Sequence, residues 1–160
     1  MIHFRIALNP RGQGRPRATI RGKHAATYKH EKDRAHEHTI ASLAAQYRPE
    51  SPLTGPLRVR LLVITPRALS VNPISKRTGQ PMGELGRYWS SKKPDADNYA
   101  KAALDALQAF WVDDCQVVDL HAQKVVAAWG ESAGLEIWID AAGLEPGGLS
   151  DAVALADSAF

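Results

Sequence analysis

The segment 92–101, with the sequence KKPDADNYAK, places two carboxylates one residue apart directly after a proline. If residues 95–97 are extended, Asp95 and Asp97 point to the same side of the chain. Two such carboxylates supply half of a Mg²⁺ site, because Mg²⁺ takes oxygen ligands in an octahedron and keeps water or substrate phosphate in the remaining positions. The alternative is that Asp97 caps the following helix and that Asp95 is a solvated loop residue.

Three other charged residues extend this candidate site. Lys101 lies one helical turn after Asp97 and therefore faces the same direction, although it could instead form an ion pair with Asp105, one turn further on. Asp113 and Asp114 follow the predicted helix and are expected to open the next strand, where one of them could close a metal site. Such a pair also commonly joins a helix to a strand without any function.

The formal net charge of +3 conceals a strong asymmetry along the chain. Residues 1–93 contain 18 of the 20 Lys and Arg residues but 5 of the 17 Asp and Glu residues, so their net charge is +13. Residues 94–160 have a net charge of −10. A basic half predicts a polyanionic partner, because Lys and Arg that neutralise phosphates release condensed counterions. The alternative is that the two halves pair with each other or with solvent.

Length and composition indicate one globular domain with a substantial core. Of the 160 residues, 44% are hydrophobic and 23% are charged, which is typical of soluble proteins. No apolar run approaches the roughly 20 residues that a membrane helix requires, and the first residues alternate in polarity, unlike a signal peptide. The single cysteine, Cys115, excludes an intrachain disulfide and a cysteine-based zinc cluster. We therefore expect a cytoplasmic protein without a membrane partner.

The spacing of apolar residues predicts the elements that must position these groups. Alternating polarity predicts four strands, at 2–8, 57–65, 116–128 and 134–140. Glycines around the last connection suggest that the third and fourth strands form an antiparallel pair. Helical spacing predicts two main helices, at 31–47 and 98–110. Loops rich in proline, glycine and basic residues occupy 9–28, with a short hairpin around Arg21 and Gly22, and 66–93. The fold class is α/β (α+β), with one mixed sheet of about four strands and the two helices packed on it.

The combined order of these motifs resembles the RusA family of Holliday junction resolvases. The matching parts are KPDADNYAKAALDAL, then FWVDDCQVVDL, then Lys124 on the next strand, together with the opening NPRGQGRPRAT and Tyr28. Ala96 and Tyr99 stand where the family commonly has aliphatic residues, and the spacer before the D-D pair is about one residue shorter than in some members. The resemblance defines a RusA-like domain at 1–140 and leaves a tail at 141–160, with a short helix predicted at 150–159.

The resemblance implies a homodimeric, Mg²⁺-dependent endodeoxyribonuclease that resolves four-way DNA junctions by paired symmetric nicks in recombination and repair. Mn²⁺ is the alternative ion. Carried over residue by residue, the metal-binding catalytic acids are Asp95, Asp97 and Asp114, with Asp113 as the weaker candidate for the third position. Lys101 matches the essential lysine. A homodimer suits this task because a two-fold axis relates two nicks symmetrically.

Basic segments are expected to hold the DNA arms through backbone contacts, which position DNA without reading its sequence. The candidate residues are Arg11, Arg15, Arg17, Arg21, Lys23, Lys76, Arg77, Arg87, Lys92 and Lys93. Tyr88 and Trp89 are candidates for stacking on an unpaired base, or alternatively for anchoring their loop to the core. Two other functions stay open: a branched-DNA-binding protein that does not cut, and a nucleotide-sugar enzyme of the D-x-D type. The second lacks a visible Gly-rich nucleotide-binding turn.

Overall fold

The structure is a computed structural model of the chain. It describes residues 1–14, 17–21, 24–28, 30–68, 74–80, 82–83 and 85–143, with 17–21 and 24–28 described by their backbone. The helix predicted at 150–159 lies outside the described residues. Within these ranges no helix is both long and apolar enough to cross a bilayer.

The described residues form seven strands and two α-helices. The strands are β1 (Ile2–Ala7), β2 (Arg17–Arg21), β3 (His24–Tyr28), β4 (Leu57–Thr65), β5 (Tyr88–Trp89), β6 (Val117–Val126) and β7 (Gly134–Ala141). The α-helices are α1 (Glu31–Ala44) and α2 (Ala96–Ala106). Short 3-10 helices follow at Ala45–Tyr47, Gln108–Phe110 and Asp114–Gln116. The predicted combination of one mixed sheet with two main helices is confirmed.

Five of the strands form one open mixed sheet in the order β1-β7-β4-β6-β5. β4 and β6 are parallel and adjacent, and the other neighbours are antiparallel. A parallel pair needs a long crossover connection, and here that connection contains β5 and α2. The separate hairpin of β2 and β3 pairs Arg21 with His24, which confirms the hairpin predicted around Arg21.

The predicted pairing of the last two strands is wrong. β4 lies between β6 and β7 and pairs with both of them. The glycines around their connection do mark a turn, and Gly130 has a positive φ of 78°. The turn reverses the chain, but β7 then pairs with the other edge of β4 and does not form a hairpin with β6.

Both helices pack on one face of this sheet and enclose the core. Successive side chains of a strand point to opposite faces, and in β4 the residues Leu57, Val59, Leu61 and Val63 are at most 3% exposed. Ile40 of α1 and Leu107, directly after α2, are buried against them. The opposite face is polar around Trp138, whose ring stacks on His3 at 4.8 Å and lies under the Arg60 guanidinium. Toward the end of β4 a small apolar cluster is buried, with Ile64, Val125 and Ala127 as its members.

Candidate active site

The helix α2 begins two residues earlier than predicted, and this changes the roles of the paired acids. Asp95 occupies the N-cap position with an extended backbone, at φ −73° and ψ 158°, and its side chain makes no capping hydrogen bond. Asp97 already lies in the first helical turn. The expectation that residues 95–97 are extended, or else that Asp97 is the cap, is therefore wrong. Both carboxylates are exposed at the helix N-terminus, where the macrodipole favours negative charge.

Lys101 lies one turn after Asp97 on α2, and its side chain is exposed. Residues four apart on a helix are neighbours on its surface, so the local arrangement predicted for this pair is present. Asp105, one turn further, accepts a hydrogen bond from the side-chain amide of Gln13 at 3.2 Å. The start of α2 thus presents two carboxylates and one ammonium group toward solvent.

The D-D pair was predicted to open the strand. It lies instead in a tight turn before β6. Asp113 caps the 3-10 helix by accepting from the Cys115 N–H at 2.9 Å, a bond that lowers the pKa of Asp113. The Gln116 side chain completes the capping box by accepting from the Asp113 N–H, and it donates to the Leu53 and Gly55 carbonyls. The D-D-x-Q spacing therefore builds this turn, and Asp113 is occupied in it.

Asp114 has a different environment from its neighbour. Its two carboxylate oxygens accept from the Trp111 indole N–H at 3.1 Å and from the Gln108 amide at 3.3 Å. The Trp111 side chain is buried, at 3% exposed, and so holds the carboxylate from the protein side. Asp114, like Asp113, is exposed to solvent.

Carboxylate oxygens are the donors that a hard divalent cation prefers, and Asp95 and Asp97 fit this requirement. In the described part of the chain, however, no three His, Cys, Asp or Glu side chains form a group that could hold a metal ion. The contribution of Asp114 as a third ligand stays a prediction. It requires the Asp114 carboxylate to give up its bonds to Trp111 and Gln108.

The N-terminal loop packs directly against the start of α2. A Cβ atom on Gly12 would lie 2.6 Å from Cβ of Pro94 and 3.2 Å from Cβ of Asn98, so only glycine fits there without displacing a neighbour. The Gln13 N–H donates to the Asn98 carbonyl at 2.9 Å. These contacts fix the backbone on both sides of Asp95 and Asp97.

Asp33 of α1 anchors the same loop, a role that sequence reasoning missed. Its carboxylate, 4% exposed, accepts from Arg11 Nε at 2.9 Å and from the Gly14 N–H at 3.1 Å. Burial by itself raises the pKa of Asp33, but the bonds from Arg11 and Gly14 outweigh it and lower the pKa below its ordinary value. The sequence signal that could have revealed this role is that Asp33 is one of only 5 acids in residues 1–93, which contain 18 Lys and Arg residues.

Lys124 of β6 holds the backbone just before the paired acids. Its ammonium group donates to the Lys92 carbonyl at 2.5 Å and to the Pro94 carbonyl at 2.6 Å. The Lys93–Pro94 peptide bond between these two carbonyls is cis. Sequence reasoning included Lys124 in the family pattern but assigned it no role, because its partners lie 32 and 30 residues away.

Among the side chains that the structure describes, the predicted DNA-binding residues fall into two groups, those that are exposed without a named partner and those that are paired with a carboxylate. Lys76, Arg77, Lys92 and Lys93 are exposed. Arg11 is paired with Asp33, and Arg87 makes a two-pronged pair with Glu131. Arg15 and Lys23, and the side chains of Arg17 and Arg21, lie outside the described residues.

Two clefts flank the loop at Asn9 and Pro10 and share these two residues and Tyr99 in their linings. The first, of about 560 Å³, is lined by Pro94 and by three basic or titratable side chains, Arg11, Lys32 and His36. Burial, reinforced by the Arg11 charge, lowers the pKa of His36, whose Nε2 faces the Arg11 N–H at 3.1 Å.

The second cleft, of about 320 Å³, is lined by Lys92, Lys93, Tyr88 and Trp89. Trp89 is 67% exposed, whereas the Tyr88 ring lies under the Arg67 guanidinium at 5.0 Å. Residues 93 and 94, immediately before Asp95, thus line one cleft each. The two residues directly before the paired acids therefore border clefts lined by basic side chains.

Comparison with known proteins identifies the family of this chain. The family model of the endodeoxyribonuclease RusA matches residues 7–140, which include both the paired acids and the D-D turn. The chain is also 35% identical over 139 residues to the uncharacterized protein YqaN of Bacillus subtilis (strain 168), with 86% of this chain and 94% of the relative covered. The match favours a nuclease over the nucleotide-sugar enzyme. The chain belongs to the RusA endodeoxyribonuclease family.

Proposed function

We propose that this protein is a Mg²⁺-dependent endodeoxyribonuclease of the cytoplasm that resolves four-way DNA junctions in recombination and repair. It acts as a homodimer and makes paired symmetric nicks. One observation carries the proposal: Asp95, Asp97 and Lys101 are exposed together at the start of α2, directly after two residues that line clefts with basic side chains, in a chain of the RusA family.

Each polar residue of the site has a role in this proposal. Asp95, Asp97 and Asp114 are the ligands of Mg²⁺, or of Mn²⁺ in its place; Asp113 is the weaker candidate because it caps its own turn. When bound, the ion would supply an activated water and would stabilise charge on the scissile phosphate. Lys101 donates to an oxygen of that phosphate from the side of α2 on which Asp97 stands.

The basic residues bind the DNA arms through their phosphates. Lys92 and Lys93 are exposed in the second cleft, and Lys76 and Arg77 are exposed in the loop that precedes it. Arg11, Arg15, Arg17, Arg21, Lys23 and Arg87 complete the proposed DNA-binding set. Arg11 and Arg87 keep their carboxylate partners and contribute less charge than the exposed lysines. Trp89 is the aromatic side chain best placed to stack on an unpaired base, since most of its surface is exposed.

The decisive experiment compares a synthetic four-way junction with a linear duplex of the same sequence, in Mg²⁺ and in EDTA. We expect cleavage of the junction in Mg²⁺ alone. Asp97→Asn should retain junction binding but slow cleavage at least about 100-fold. Loss of a residue that only supports a metal ligand already costs up to about 100-fold in activity, and loss of a ligand itself should cost no less. Equal cleavage of the duplex, or cleavage in EDTA, would contradict the proposal.

The second candidate function is a branched-DNA-binding protein that does not cut. It is favoured by the engagement of Asp114 with Trp111 and Gln108, which keeps the third carboxylate out of a metal-binding group. This alternative requires that the wild-type protein binds the junction and yields no nicked product in either Mg²⁺ or Mn²⁺. If the wild-type protein forms a nicked product and Asp97→Asn abolishes that product, this alternative is excluded.

A further inference from the structure

Tyr99 of α2 carries a polar group that the proposed function does not use. Its side chain is 6% exposed, and its ring belongs to the hydrophobic core. The hydroxyl group makes no hydrogen bond with any residue that the structure describes. Buried tyrosines usually place their hydroxyl group against a partner, so the unpaired hydroxyl group of Tyr99 indicates a partner that lies outside the chain.

This hydroxyl group is open to the two clefts. The Tyr99 oxygen is not among the fully buried side-chain polar atoms that lack a hydrogen bond. Since it also has no hydrogen bond within the described chain, it lies where solvent reaches it. Tyr99 lines both clefts and is the only α2 residue among the described residues that line them.

The wall that the clefts share consists of Asn9, Pro10 and Tyr99. Both clefts also have basic side chains in their linings, which are Arg11 and Lys32 in the first cleft and Lys92 and Lys93 in the second. Cationic side chains of this kind bind DNA through its phosphates. A DNA strand whose phosphates are held in both clefts passes the shared wall, where Tyr99 provides the one hydroxyl group.

The chemistry of this hydroxyl group suits a phosphate and not a base. Burial raises the pKa of Tyr99 above its ordinary value of 10.0, so the group is protonated at neutral pH and available as a donor. Tyrosine side chains are among the groups that bind DNA phosphates, and hydrogen bonds to an ionised acceptor are roughly twice as strong as neutral ones. Because the ring is packed in the core, it offers no open face for stacking on a base.

We propose that the Tyr99 hydroxyl group donates a hydrogen bond to a phosphate of the DNA strand that passes from one cleft to the other. Lys93 and Pro94, the two residues before Asp95, line the second and the first cleft respectively. The contact therefore holds the strand beside the segment that leads into the paired acids. This inference rests on the proposed function and adds to it a phosphate contact that carries no charge.

Tyr99→Phe removes the hydroxyl group and keeps the ring. In EDTA, where metal-dependent cleavage cannot occur, fluorescence anisotropy should show about tenfold weaker binding of a four-way junction, because a hydrogen bond to a charged group is lost. The slope of log K against log salt concentration should stay that of the wild type, because a neutral donor releases no counterion. Lys93→Met should instead lower the steepness of that slope by about 1.

Tyr47→Phe is the matched control for the loss of a hydroxyl group. Tyr47 is 37% exposed, stacks on Phe4 and lines neither cleft, so its variant should bind the junction as the wild type does. Thermal unfolding of Tyr99→Phe should match or exceed that of the wild type, because the hydroxyl group has no protein partner to lose. A lower melting temperature with unchanged binding would assign Tyr99 to the core alone and overturn the proposal.

Neutral methylphosphonates, placed one at a time near the crossover of the junction, identify the phosphate itself. At one or two positions the substitution should weaken binding by the wild type but not by Tyr99→Phe, because the variant has already lost that contact. The same pattern of losses in both proteins would contradict the proposal. Wild-type protein that binds the junction with this pattern but does not cleave it in Mg²⁺ would refute the nuclease and leave the Tyr99 contact in place.

Discussion

The Lys124 ammonium group donates to two main-chain carbonyls, those of Lys92 and Pro94, and its own carbonyl accepts from Ser90. Charged donors make stronger hydrogen bonds than neutral ones, so Lys124 fixes the path of the chain just before Asp95. The residue does not need to touch DNA or metal to matter. It is a positioning residue for the paired acids.

Replacement of Lys124 by Met removes these bonds at nearly constant size. We expect cleavage of bound junction to fall about 10- to 100-fold, with a higher Mg²⁺ concentration for half-maximal rate, because the acids lose their support. Lys124→Arg should recover part of the activity. Junction binding should change little, and Arg34→Met, which removes an exposed charge from α1, serves as the control. Weaker binding with an unchanged rate and Mg²⁺ dependence would instead make Lys124 a DNA contact.

At the scale of elements, the N-terminal loop joins both helices. Asp33 of α1 holds Arg11 and Gly14, while Gln13 bonds to the Asn98 carbonyl of α2. Gly12 lies between these anchors, with no room for a side chain against the Pro94 ring. The loop, the cis proline and the start of α2 therefore form one packed unit that positions Asp95 and Asp97.

Gly12→Ala tests this packing. The φ of Gly12 is not in the left-handed region, so the steric contact with Pro94 is the reason for any effect. We expect a loss of about 1–3 kcal/mol in the free energy of unfolding, which is typical of overpacking, together with slower junction cleavage. Urea denaturation measures the first effect. Gly143→Ala, where an added Cβ meets no atom within 4 Å, should be neutral; equal stability of both variants would show that the loop is loosely held.

At the scale of the whole molecule, stability should depend on one acid that ties distant segments together. Glu131, 14% exposed, bonds to Arg87, to Arg5 of β1 and to the Ala128 N–H. The hydrogen bonds from Arg87, which outweigh the effect of burial, lower the pKa of Glu131 from 4.5 to about 2. The ionised form is thus preferred in the folded state, and the stabilisation is complete above about pH 4.5 and lost as the pH falls toward about 2.

The matching experiment follows the wild type and Glu131→Gln by thermal unfolding at several pH values. Glu131→Gln should melt at a lower temperature near neutral pH. The difference between the two proteins should shrink as the pH falls from about 4.5 to about 2, because protonation removes the same ion pairs in the wild type. Glu50→Gln, at an exposed position, should match the wild type throughout. A difference that does not vary with pH would mean that Glu131 acts through packing alone.

The parts of this molecule that follow from local patterns could be predicted. The alternation in β4 and the helical spacing in α1 define those elements, and Asp97 and Lys101 face one way because they lie a turn apart. Contacts made across the sheet could not be predicted. β5 is two residues long and exists only by pairing with Val125 and Val126, and nothing local shows that β4 separates β6 from β7.

The parallel pairing of β4 with β6 has a consequence for how this protein can vary. Residues 66–116, which contain the exposed lysines, the paired acids and the D-D turn, leave the sheet after Thr65 and re-enter it at Val117, at opposite ends of two adjacent parallel strands. Closing a longer loop between fixed ends costs only about 0.6 kcal/mol for each doubling of its length. Insertions and deletions in this excursion outside β5 and α2 should therefore disturb the sheet little, so that the connecting segments can change in length and sequence while the sheet and α2 stay the same.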